Sequence, residues 1–135
     1  MNFCEIKSEF FENINNFKSL RYLYIGNINF DKDFIIKLNI LELLSIISCK
    51  NIKLSEISNG KLKELIILWN TISDINILEK VNFKELKKLG LNCNKISDIN
   101  ILEKVNFKEL KELYLNRNKI SDINILEKVN FKVII

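Results

Sequence analysis

The chain has 135 residues, enough for one domain and hardly two, and its 47% hydrophobic content is far above what a disordered chain carries. Lys+Arg 21 against Asp+Glu 17 leaves a net charge of +4, too small and too evenly spread to argue for nucleic acid. The absence of histidine removes the commonest general base and zinc ligand together.

The leader, residues 1–19, sets Phe3, Ile6, Phe10, Ile14 and Phe17 at spacings of 3, 4, 4 and 3, which is one face of a helix. Its polar face is not basic, which argues against a helix lying on a membrane. Glu5 and Glu9 stand where a signal peptide needs a basic and then an apolar stretch, and no apolar run in the chain reaches the roughly eighteen residues that span a bilayer.

From Leu20 onward an apolar comb repeats. Leu20, Leu23, Ile25 and Ile28 are followed at an interval of 21 residues by Leu41, Leu44, Ile46 and Cys49, and at 21 again by Leu62, Leu65, Ile67 and Asn70. The interval then becomes 24, giving Leu86, Leu89, Leu91 and Asn94, then Leu110, Leu113, Leu115 and Asn118. Residues 72 to 86 recur without a change at 96 to 110, and a third copy runs from Ile120 to Lys132. The units are therefore 20–40, 41–61, 62–85, 86–109 and 110–133, with Ile134 opening a further one.

Leu-x-x-Leu-x-Leu-x-x-Asn-x-Ile resembles the leucine-rich repeat signature, and Cys49 is a substitution that family accepts in the asparagine slot. The continuation x-Asp-Ile-x-x-Leu is similar to the short-repeat subclass of phosphatase regulators and internalins. The resemblance covers residues 20 to 133. It implies an α/β fold: a right-handed leucine-rich repeat solenoid with a concave parallel β-sheet of about five short strands. The convex side is then made of short helices or 3-10 turns.

Elementary geometry leads to the same place. Leu-x-Leu alternation makes a short strand with one apolar face, and strands of successive units pair in parallel only through a return leg. In that leg Ile75, Leu78, Val81 and Phe83 are expected to point inward, as are Ile99, Leu102, Val105 and Phe107, and Ile123, Leu126, Val129 and Phe131. Phe17 precedes Leu20 as Phe83 precedes Leu86. Asn70, Asn94 and Asn118 are the polar exceptions; an amide both donates and accepts, and so can satisfy buried backbone groups of its own turn and of the neighbouring unit. Cys49 can do this only weakly and Ile28 not at all, so the ladder is expected to be incomplete at the N-terminal end. Ser73/Asp74 and their equivalents are expected to cap the return turn rather than to bind a cation, because the glycine-rich turns of calcium repeats are missing. Residues 1–19 are expected to cap the first unit. The chain stops inside a unit at Val133, Ile134 and Ile135, which implies either a piece of a longer protein or an edge that self-associates.

Function is expected on the concave side, in the second, third, fifth, seventh and eighth slots of each comb. These hold Arg21, Tyr22, Tyr24, Gly26 and Asn27; Glu42, Leu43, Ser45, Ile47 and Ser48; Lys63, Glu64, Ile66, Leu68 and Trp69; Lys87, Lys88, Gly90, Asn92 and Cys93; Lys111, Glu112, Tyr114, Asn116 and Arg117. Several of these slots differ from unit to unit where the return legs are copies, and they offer large amphipathic rings and arginine, the anchors that interfaces favour. The candidate partner-binding residues are Tyr22, Tyr24, Ile47, Ile66, Leu68, Trp69, Tyr114 and Arg117. The expected partner is a protein or peptide, neither nucleic acid nor membrane, because Glu64 and Glu112 interrupt the lysine row. No base and nucleophile pairing or phosphate loop can be read off the chain, so catalysis, metal and cofactor are not expected. Cys4, Cys49 and Cys93 lack Cys-x-x-Cys spacing and read as reduced thiols, so a cytoplasmic or nuclear location is the expectation. The alternative to an interaction module is a structural or targeting segment of a larger protein.

Overall fold

The computed structural model of the chain describes residues 4–6, 17–34, 41–52, 60–129 and 131. In chain order its strands are β1 (Cys4–Ile6), β2 (Tyr22–Gly26), β3 (Ile28–Phe34), β4 (Leu43–Ile47), β5 (Lys50–Ile52), β6 (Glu64–Leu68), β7 (Lys88–Gly90) and β8 (Glu112–Tyr114). One parallel sheet runs β2-β4-β6-β7-β8, and its register sets Leu23, Leu44, Leu65, Leu89 and Leu113 side by side. The period-two pattern explains each strand: in β6, Leu65 and Ile67 are buried while Glu64, Ile66 and Leu68 are half-buried on the other face. This is the leucine-rich repeat solenoid implied by the comb.

Behind the sheet the return legs close the core. Ile75, Leu78 and Phe83 are buried, as are Ile99, Leu102, Val105 and Phe107. Each such side chain contributes about 1.5–3 kcal/mol on leaving water. Phe83 and Phe107 lie 6.2 Å apart by ring centroid, and Phe107 and Phe131 6.4 Å, so a tilted aromatic column runs along the stack. Short 3-10 helices occupy Asn76–Glu79, Asn100–Glu103 and Asn124–Glu127. Asp74 Oδ1 accepts the Asn76 N–H at 2.8 Å, and Asp98 and Asp122 repeat this with Asn100 and Asn124 at the same distance. The N-cap positions themselves are Ile75, Ile99 and Ile123 and make no side-chain cap bond, so the expected cap is replaced by an Asx-turn at the preceding aspartate that leads the chain into the helix.

The asparagine ladder is present and each member reaches back one unit. Asn70 Oδ1 accepts the Cys49 N–H at 2.9 Å, while Asn94 and Asn118 accept from the N–H groups of Ile72 and Ile96. Each amide also donates to the preceding unit at the carbonyl of its sixth slot: Asn70 to Ile46, Asn94 to Ile67 and Asn118 to Leu91. Cys49 copies the pattern feebly, its Sγ standing 3.9 Å from the Ile25 carbonyl and 3.5 Å from that of Ile47.

The expectations need correcting at both ends. The convex side of the first units is not helical or turned but a second parallel sheet, β1-β3-β5, with Cys4 opposite Ile28 and Ile6 opposite Phe30. Ile28 and Phe30 are buried and Asn29 between them is half-buried, an alternation that favours strand where no ladder amide fixes a turn. The helix expected over residues 1–19 therefore does not describe Cys4–Ile6, which are extended; Phe3, Phe10 and Ile14 lie outside the described residues. Phe17 is exposed, although its carbonyl accepts the Leu20 N–H as that of Phe107 accepts the Leu110 N–H. In the last unit Ile123, expected inward, is 63% exposed and Ile125 is buried instead. Ile75 and Ile99 have a following coil packed on them, and among the described residues Ile123 has none. Val133, Ile134 and Ile135 also lie outside the described residues. Among the described residues no helix is long and apolar enough to cross a membrane.

Candidate interaction face

Parallel pairing turns each outward slot into a row across the concave sheet. The third-slot row is Tyr22, Leu43, Glu64, Lys88 and Glu112, and the fifth-slot row is Tyr24, Ser45, Ile66, Gly90 and Tyr114. Gly26, Ile47 and Leu68 align in the seventh. Ser45, Ser48 and Gly90, expected to face outward, are buried. Ser45 and Gly90 are small positions in a row of large ones: Ser45 sits between Tyr24 and Ile66, and the Ile66 and Leu68 side chains come within 3.6–3.7 Å of where a Gly90 Cβ would stand.

The candidate residues separate into two groups. Trp69 is 56% exposed, Ile47 and Arg117 are also exposed, and Ile66, Leu68 and Tyr114 are half-buried on the same side. Ile66 and Leu68 lean over Gly90, whose other register neighbour is Tyr114, and the Arg117 guanidinium carbon lies 5.7 Å from the Trp69 ring centroid. Tyr22 and Tyr24 are exposed on the edge strand β2, beside the strand that carries Ile47 but four strand spacings or roughly 19 Å from Tyr114.

Charge on this face is organised in ways the sequence did not disclose. Glu42 is clamped between Lys63 Nζ at 2.7 Å and Arg21 Nε at 3.8 Å, and the Lys63 hydrogen bond holds the Glu42 carboxyl below its ordinary range and the Lys63 ammonium above its own. Glu112 meets Lys88 Nζ at 3.1 Å and accepts the Tyr114 hydroxyl at 2.9 Å, while Lys88 also lies 5.3 Å from the centroid of the Tyr114 ring. The Lys88 bond, then the Tyr114 bond, lower the Glu112 pKa; the Glu112 carboxylate in turn raises those of Lys88 and Tyr114. Apart from the exposed Arg21, these groups are half-buried at the surface and screened by solvent, so they orient side chains more than they stabilise the fold.

Backbone geometry adds a feature invisible in the residue types. Asn27, Ser48, Trp69, Cys93 and Arg117 all have φ between 53° and 58°, so the eighth slot of every unit is left-handed. In the first four units the turn aims this N–H at the next unit: Asn27 donates to the Ile47 carbonyl, Ser48 to Leu68, Trp69 to Asn92 and Cys93 to Asn116. Only Asn27 is of a type that adopts this conformation readily. Cys49 and Cys93 are free thiols, and burial pushes the Cys49 thiol pKa up. Among the described residues no group of acidic or cysteine side chains could hold a metal ion.

Comparison with known proteins agrees with this architecture. The family model described as leucine-rich repeats (2 copies) matches residues 84–128. Among solved structures, an internalin from Listeria monocytogenes is similar at a TM-score of 0.53 and 20% identity over 90% of this chain. That likeness concerns the fold, and this chain spans 45% of the internalin's length. No curated protein matches the chain. Leucine-rich repeat domains are typically non-enzymatic interaction modules. A comb that recurs five times, builds a parallel sheet and is tied by an asparagine ladder gives this chain the leucine-rich repeat solenoid fold, with leucine-rich repeats matched over residues 84–128.

Proposed function

We propose that the chain is a non-enzymatic protein-interaction module that takes a protein or peptide partner on its concave sheet. The observation that carries this reading is the exposure of Trp69 beside Ile47, Leu68 and Arg117, on a face whose side chains vary while the return legs behind it are copies. Core packing does not require an exposed indole, and contiguous apolar surface rimmed by charge marks binding faces. The free thiols of Cys49 and Cys93 suit a reducing, cytoplasmic setting.

Affinity capture with the intact chain, against a Trp69→Ala, Tyr114→Ala double variant, tests the proposal. The intact chain should retain a partner that the double variant loses, with little change in melting temperature. The alternative, in which the coils only space other domains of a longer protein, requires both chains to capture the same material.

A further inference from the structure

We infer, resting on that reading, that the partner segment is an acidic, extended peptide. Its carboxylates meet Lys87 and Lys111 at one end of the strands and Arg117 at the other, and its apolar middle lies on Ile66, Leu68 and Tyr114. The net charge of the chain is concentrated on this face: Arg21, Lys63, Lys87, Lys88, Lys111 and Arg117 oppose only Glu42, Glu64 and Glu112 there. Glu42 is taken by Lys63 and Arg21, and Glu112 by Lys88. Lys87 and Lys111 are exposed neighbours, the Lys111 N–H donating to the Lys87 carbonyl at 2.9 Å, and neither enters an ion pair among the described residues. Two like charges about one strand spacing apart favour a bound anion between them.

The opposite pole is set by backbone conformation. Left-handed turns recur in all five units, so the fold imposes the conformation and leaves the side chain free. Asparagine meets that demand at least cost, as Asn27 does; tryptophan and arginine at this position are chosen against backbone preference, which points to use rather than support. Arg117 stacks on Trp69 and enters no ion pair among the described residues, leaving guanidinium N–H groups for a carboxylate. Lys111 and Arg117 are six positions apart, and only Glu112–Tyr114 between them is strand. The poles therefore lie within the roughly 20 Å that six extended residues would span, and the ligand has at most about five residues between its acidic ends. Between the poles Ile66 and Leu68 cover the buried Gly90, and with Tyr114 they present a half-buried apolar surface.

Selection of a random peptide display library of about twelve residues on the intact chain is the test. Recovered sequences should carry Asp or Glu on both sides of an apolar core. The Lys87→Glu, Lys111→Glu variant should weaken them about tenfold or more, Arg117→Glu should do the same, and peptides with lysine replacing the acids should regain affinity for the reversed variants. Peptides indifferent to these reversals but lost in Trp69→Ala would overturn the acidic partner and leave the concave face standing. Peptides indifferent to both would overturn both readings. An empty selection, or tighter binding of a single-stranded oligonucleotide with steep salt dependence, would also overturn the acidic-peptide assignment.

Discussion

Arg117 reaches back across two coils to lay its guanidinium 5.7 Å from the centre of the Trp69 ring, passing over the slot of Cys93. Both residues stand in left-handed backbone at the same slot of their units, with φ of 57° in each. An exposed contact of this kind contributes about 0.5–1 kcal/mol, and the backbone cost of a bulky left-handed residue is about 1–2 kcal/mol. The two nearly cancel. Trp69→Asn should therefore leave stability within about 1 kcal/mol of the parent, or raise it, while partner capture is lost. Denaturant unfolding checks the first half; a loss above about 2 kcal/mol would mean the ring acts as core.

Asn94 sits in the middle of the ladder, where it accepts the Ile72 N–H at 3.2 Å and donates to the carbonyls of Ile67, Leu91 and Asn92. Asn94→Ala strands these groups and should cost about 2–4 kcal/mol, more than the same change at half-buried Asn118. Urea midpoints of the two variants decide the order.

Cys49 holds the ladder slot with a thiol that reaches only to 3.5 Å and 3.9 Å. An amide there would find the Ile25 carbonyl as acceptor, in the relation Asn70 has to Ile46. Cys49→Asn should stabilise the chain by about 1 kcal/mol, read as a raised melting temperature, whereas a fall would show that the N-terminal coils have no room for the amide.

Glu112 ties Lys88 and Tyr114 together, and its lowered pKa fixes the sign of a pH effect. A carboxyl depressed on folding contributes above its unfolded-state pKa and loses that contribution as pH falls through the folded value. Acidification below the ordinary carboxylate range should therefore release the Tyr114 ring, seen as a shift of its NMR resonances. Glu112→Gln should remove that transition and leave the neutral-pH fold unchanged.

The comb disclosed the fold because every buried position in it repeats an apolar type, and stacked coils bury those positions against their own copies. Asn70 and Asn94 were legible for the converse reason, as polar residues in slots that only a satisfied amide can fill. The second sheet is not legible from the comb, in which Ile28 holds a ladder slot, although Ile28 and Phe30 carry a period-two signal. Ile123 departs from the expectation although its unit is a sequence copy, because among the described residues no further coil packs beside the Asn124–Glu127 helix as Asn100–Glu103 packs beside Asn76–Glu79. Of the candidate face, the exposure of Trp69 and Tyr24 was readable from slot position, but the burial of Ser45 was not, since it depends on the size of Tyr24 and Ile66 beside it. The left-handed eighth slot has no shared residue type, so only coordinates reveal it.

Hydroxyl-radical footprinting of the chain with and without its captured partner tests the concave-face account most directly. Trp69, Leu68 and Tyr114 should be protected from oxidation in the complex, while Ile123, exposed on the return leg, should oxidise at the same rate in both states. Protection of Ile123 with Trp69 unchanged would contradict the account.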